Sequence, residues 1–192
     1  MNYRTIYITY TDIINGLDYT RINKIYILGL GIYPLWATIV RGTIHNQFAL
    51  DEYLGTVLRV VTSKLNSNPQ SISIYTFAFN FALLAQKHNV HPGNVVTSTR
   101  YYGRRLYCGT GQGNFFTVTF LPNHFNINTY FFINLQGQPR YLHPLNQNIL
   151  LGFGRGPGGN GLRIWIINVT SASSPYQINS FPIPNAFANS PV

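Results

Sequence analysis

Carboxylates are almost missing from this chain: Asp12, Asp18, Asp51 and Glu52 are the only four among 192 residues. General acid–base catalysis and two-metal phosphoryl transfer both draw on paired acids, so hydrolytic chemistry has little to be assembled from. Cysteine is as scarce. A single residue, Cys108, excludes an internal disulfide and any cysteine-based zinc site. Charge of either sign is low, at 9% of residues, where an average globular chain carries about 25%. No uninterrupted apolar run follows Met1, so no signal peptide is read there. One uncharged, largely apolar stretch between Lys24 and Arg41, Ile25–Val40, has 16 residues and contains Gly29, Gly31 and Pro34. That is short of the roughly 20 that cross a bilayer, and a broken, buried strand is the expected form. Membrane partners are not expected.

What replaces the missing ions is Asn, Gln, Thr, Ser, Tyr and Gly. An amide or hydroxyl costs far less to desolvate than an ion, so such a surface suits a subunit covered by neighbours. The few charges are unbalanced: 13 Lys and Arg stand against four acids, for a net charge of +9. Ten of those cations are Arg. A guanidinium pairs bidentately with phosphate, so the expected partners are copies of the chain, other structural subunits and a polyanion, nucleic acid first. Lys87, Arg100, Arg104, Arg105 and Arg155 are the candidate nucleic-acid-binding residues. No catalytic residue, metal site or cofactor is expected. The one close histidine pair, His88 and His91, has no acid or cysteine beside it.

Periodicity reads as mainly β. Thr5–Tyr10 alternates with period two, Asn15–Gly16 marks a hairpin turn, and Lys24–Ile44 reads as one or two buried strands. Alternation returns in Ser71–Thr76, Phe115–Phe120, Tyr130–Leu135 and Leu162–Ile167, separated by Gly- and Pro-rich turns. Residues 49–65 place Leu50, Tyr53, Leu54, Val57, Leu58, Val61 and Leu65 at helical spacing, with Asp51 and Glu52 where the helix dipole favours acids. A helix is expected there, and residues 77–88 fit either a strand or a second helix over 79–88. The run Gly152–Gly161 lacks the Gly-Lys-Ser/Thr of a phosphate-cradling loop and precedes a strand, so it reads as a hairpin loop in which Arg155 could touch phosphate. The expected organisation is one mainly-β domain over 1–170, a jelly-roll-like sandwich or barrel. A Pro-rich extended arm over 171–192 follows it.

Two resemblances add function to this frame. Residues 82–106, ALLAQKHNVHPGNVVTSTRYYGRRL, resemble the helix-turn-helix of winged-helix DNA-binding proteins. Leu84 and Ala85 would stand in its first helix, Asn89 and Val90 in its turn and Val95 in its second helix. His88, Thr99 and Gly93 depart from that pattern. Over the whole chain, low charge, abundant Asn, Thr, Tyr and Phe, Gly/Pro turns and a Pro-rich arm resemble virion coat proteins, including single jelly-roll subunits. That resemblance implies a capsid or nucleocapsid subunit, located in the virion and assembled in the host cytoplasm, contacting nucleic acid through Arg–phosphate pairs. A winged-helix DNA-binding protein and a glycan-binding β-sandwich are the alternatives.

Overall fold

The structure is a computed structural model that describes residues 4–28, 31–121, 123, 126–129, 132–159 and 161–183. It is built from strands, and the chain divides into two compact units, Met1–Gly93 and Asn94–Val192. The mainly-β expectation holds.

The first unit opens with β1 (Arg4–Ile14), β2 (Leu17–Leu28) and β3 (Gly31–Arg41), an antiparallel meander in that order. Asn15 (φ 52°) and Gly16 (φ 75°) turn β1 into β2, both in the left-handed region that a two-residue hairpin requires. In β2 the buried residues are Asp18, Thr20, Ile22 and Lys24, one face of a strand. A second meander follows: β4 (Leu50–Tyr53), β5 (Val57–Lys64), β6 (Ser71–Ala78) and β7 (Leu83–Val90). Ile22 and Val40 of the first sheet pack with Leu58, Val60, Tyr75 and Phe77 of the second to form this unit's core.

The expected helix over 49–65 is β4 and β5. Its apolar stripe is real, but Leu54 (φ 51°) and Gly55 (φ 69°) form a tight turn closed by Thr56 N–H to Tyr53 O at 3.2 Å. The Val- and Thr-rich run after the turn is buried on both faces from Leu58 to Lys64, and a central strand with two covered faces reads as a continuous apolar stretch. The expected helix-turn-helix over 82–106 is also strand: β7, a turn at His91–Gly93, then β8 (Val96–Tyr102). The β-branched residues Val95, Val96, Thr97 and Thr99 favour the extended chain there. Within 77–88, β6 ends at Ala78, a turn follows at 79–80, and β7 begins at Leu83.

In the second unit β8 is followed by β9 (Arg105–Thr110), β10 (Asn114–Phe120), β11 (Ile127–Thr129) and β12 (Ile133–Asn134), one antiparallel sheet in which both β11 and β12 pair with β10. Its last sheet is the meander β13 (Gln138–Pro144), β14 (Ile149–Arg155), β15 (Leu162–Asn168) and β16 (Tyr176–Ile183). Trp165, Leu142, Leu150 and Ile167 of that sheet bury against Tyr107 and Phe115 of its neighbour. Cys108 lies on β9, completely buried, and burial pushes its thiol well above its ordinary value. Gly154 is a packing residue, not part of a loop. A Cβ there would stand 2.0 Å from Gln138 O and 2.7 Å from Arg140 N. Of the segment expected as an arm, Tyr176–Ile183 joins the sheet as β16, and 184–192 lie outside the described residues.

Three tyrosine phenols, Tyr7, Tyr75 and Tyr107, are held above the ordinary value of 10.0, in each case first by burial. A phenol raised in the fold stabilises below its unfolded pKa and loses that stabilisation as pH rises past it. Unfolding midpoints in urea are therefore expected to fall as pH climbs above about 10. Tyr7→Phe should flatten that limb. An unchanged alkaline slope in the variant would refute the assignment to Tyr7.

Candidate functional site

All four carboxylates lie in the first unit, and each is engaged. Asp51 accepts from Arg59 Nε at 2.9 Å, directly across the β4–β5 register. Glu52 accepts from the Tyr7 hydroxyl at 2.8 Å and faces Lys24 Nζ at 3.6 Å. Lys24 is 1% exposed and lies over the Tyr7 and Tyr26 rings at 5.5 and 5.6 Å. Asp18 accepts from Leu65 N (2.9 Å), Asn66 N (2.7 Å) and Asn66 Nδ2 (2.6 Å), fastening the β5–β6 turn. Asp12 pairs at the surface with Arg21 at 3.1 Å. These acids are cross-strand and loop fasteners. The placement of Asp51 and Glu52 in a helix's first turn is corrected accordingly.

The second unit contains six arginines and no Asp or Glu. Arg100 donates to the Tyr141 hydroxyl at 3.1 Å and lies over that ring at 5.5 Å. Arg105 donates to the carbonyls of Val169 and Thr170. Arg140 reaches Gln138 Oε1 at 3.2 Å, and Arg163 reaches Ser180 Oγ at 3.1 Å. Among the described residues the guanidinium groups of Arg104 and Arg155 have no hydrogen bond or ion pair.

These two residues mark two clefts at opposite ends of the unit. The Arg104 cleft, about 540 Å³, is lined by Tyr102–Arg105 at the β8–β9 turn, the end of β10, Gln147, Asn148 and Ala172. It adjoins a shallower hollow of about 580 Å³ that shares Tyr102, Gln147 and Asn148 and adds Asn146, Asn168 and Thr170. The loops here are held in place. Asn146 Oδ1 accepts from Asn148 N at 2.8 Å and Ile149 N at 3.0 Å, and Asn168 Oδ1 accepts from Thr170 N at 3.0 Å. Such Asx turns fix loop backbone without a regular ladder, and Arg105 pins the β15–β16 connection from the other side. The result is a fixed groove rimmed by amides, one exposed Tyr and one free guanidinium. The second cleft, about 450 Å³, is lined by Gly111–Gly113, Gln136–Gln138 and Arg155–Gly159. Gly152–Arg155, expected in a hairpin loop, belongs to β14, and the turn proper begins after it.

Of the five cations expected to form one nucleic-acid face, Arg104 and Arg105 come together. Arg155 lies at the other end of the same unit, Arg100 is in mid-strand against Tyr141, and Lys87 is on β7 of the first unit. Asn146, Gln147, Asn148, Asn168 and Tyr102 were not singled out from the sequence. The visible signal was the Asn-Gln-Asn run at 146–148, which is turn chemistry next to a basic hairpin.

A sheet-by-sheet build of antiparallel meanders, each stacked on the next within its unit, is how propeller blades are made. The family model of the beta propeller domain matches residues 1–192. The chain belongs to that family. It is 26% identical over 175 residues to the uncharacterized protein MJ1554 of Methanocaldococcus jannaschii, a match covering 86% of this chain and 26% of that protein. The crystal structure of the N-terminal domain of Nup159 is also similar, with a TM-score of 0.49 and 12% identity over 88% of this chain and 46% of that one. The chain thus spans about a quarter of the curated relative and under half of the solved structure.

Family membership overturns the coat-protein expectation, and with it the jelly roll, the capsid or nucleocapsid function and the virion location. The winged-helix and glycan-sandwich alternatives find no support either. The physical reason is plain. Strands rich in Thr, Tyr, Asn and Ile cover each other when sheets stack within one chain, so low charge does not require a shell of sister subunits.

Proposed function

We propose that this β-propeller chain is a non-catalytic binding module that takes an acidic peptide segment in the groove at Arg104. The observation that carries this is an unengaged guanidinium at the mouth of a fixed, amide-rimmed groove, in a unit with no carboxylate of its own. A peptide carboxylate would pair with Arg104. The amides of Asn146, Gln147 and Asn148 suit backbone N–H and C=O groups, and Tyr102, 44% exposed, offers a flat apolar contact. A nucleic-acid strand fits less well, because a phosphate backbone draws on several free cations along a path and Arg105 is already given to two carbonyls. The non-catalytic part rests on the engagement of all four acids and the burial of the single thiol.

The test is titration calorimetry with a Glu/Asp-rich peptide, an amide-only analogue and an oligonucleotide. The acidic peptide should bind and weaken with salt. Arg104→Ala should cost about tenfold in affinity, near 1.4 kcal/mol, as expected for a charge-assisted hydrogen bond. Arg140→Ala should cost little. Equal binding of the uncharged analogue, or preference for the oligonucleotide, would refute the reading.

A further inference from the structure

The first unit's opening sheet has two faces of different fate. Toward the second sheet it presents Ile22, Lys24 and Val40, all buried. Away from it the register lines up Ile6 with Ile25, Ile8 with Asn23, Tyr10 with Arg21 and Ile14 with Leu17 across β1–β2, and Arg21 with Ile39 across β2–β3. On this outward face Ile8 and Tyr10 are each 49% exposed, Ile39 is 48%, and Ile6 and Ile14 exceed 40%. Exposed large apolar side chains gathered on one sheet face in this way mark an interaction surface. By register Asp12, Arg21 and Arg41 share this face, and Asp12 pairs with Arg21 at 3.1 Å.

The last sheet of the second unit has the same asymmetry. Leu142, Leu150, Trp165 and Ile167 point inward and are buried. Leu151, Phe153, Ile164 and Ile166 occupy the outward face and are half-buried, and Phe181, paired with Ile164, is 48% exposed. Arg155 and His143 are on this outward side, and no carboxylate is.

We propose that the outward face of the first sheet stacks on the outward face of the last sheet of a second copy of this chain. Two observations select that occupant. Sheet-on-sheet stacking of apolar faces is how each unit already makes its core. The footprints match: three strands of 11 or 12 residues and four strands of 7 or 8 each span roughly 500 Å² of sheet plane by strand rise and spacing. Two such faces with their side chains approach the roughly 800 Å² per partner of a standard stable interface. The contact is head-to-tail, so it closes a ring or extends a chain of copies. It does not depend on the groove at Arg104.

Sedimentation velocity on the full chain over a hundredfold concentration range tests this, with circular dichroism to confirm that each variant is folded. The wild type should associate to dimers or beyond. Ile8→Asp on the first face and Phe181→Asp on the last should each weaken association at least tenfold. Mixed together they should recover a 1:1 pair, because each variant keeps the face the other has lost. A wild type that stays monomeric throughout overturns the proposal without any variant. So does association that Ile8→Asp abolishes while Phe181→Asp leaves it intact, since that pattern belongs to two identical faces meeting.

Discussion

Glu52→Ala is expected to cost about 3–5 kcal/mol of stability, because it leaves a fully buried ammonium without its counter-ion. Lys24 is 1% exposed, its facing carboxylate is Glu52 at 3.6 Å, and the same carboxylate receives the Tyr7 hydroxyl. The two aromatic rings beside Lys24 attract a cation but supply only about 0.5–2 kcal/mol. Urea unfolding of Glu52→Ala, Lys24→Met and the double variant closes a mutant cycle. The double variant should regain most of the loss, since an apolar replacement for a buried pair is often neutral or better. A single-variant cost below about 1 kcal/mol, the level of an exposed pair, would show that Lys24 is hydrated and the burial argument wrong.

Trp165→Ala is expected to be of similar size in the second unit, about 3–5 kcal/mol for removing a buried aromatic. The indole is 0% exposed and packs among Leu142, Leu150 and Tyr107, and its N–H donates to Leu135 O at 2.7 Å. Trp165→Phe separates the two contributions. It keeps most of the apolar body and strands one buried carbonyl, which costs about 1–3 kcal/mol. Circular dichroism is the measurement of choice, because Trp36, the other tryptophan, lies on β3 of the first unit and reports on different packing. Equal costs for the two variants would mean that the hydrogen bond dominates the packing.

The strands were legible where apolar and polar residues alternate. Thr5–Tyr10 and Leu162–Ile167 alternate because the side chains do, and Asn15–Gly16 gives a hairpin from turn chemistry alone. Residues 49–65 misled for a physical reason. A strand covered on both sides, such as β5, carries apolar residues without a gap, and any dense apolar run contains helical spacings. The local signals that outvoted the stripe were Leu54–Gly55 and the β-branched residues after it. The same competition explains 82–106, where Asn89 does adopt a left-handed conformation at φ 54°, but at a register shift near the end of β7 and not between helices.

Of the cations singled out in the sequence, Arg104 and Arg105 do share one end of a unit. Their division of labour was hidden, because Arg105 is bound by carbonyls some 65 residues away in sequence. The acids taught the opposite lesson. Asp51 and Glu52 looked like a local helix device, and each is instead a long-range or cross-strand fastener whose partner only the pairing register reveals.

Cys108 has a consequence for thiol chemistry in the second unit. It is the chain's single sulfhydryl, sealed in β9, and burial keeps it protonated and therefore a poor nucleophile. Within this chain no disulfide can form, and Cys108 stays out of reach of an outside thiol while that strand stays paired. Alkylation at this atom consequently counts only molecules whose second unit has opened, which gives a built-in clock for its rarest excursions.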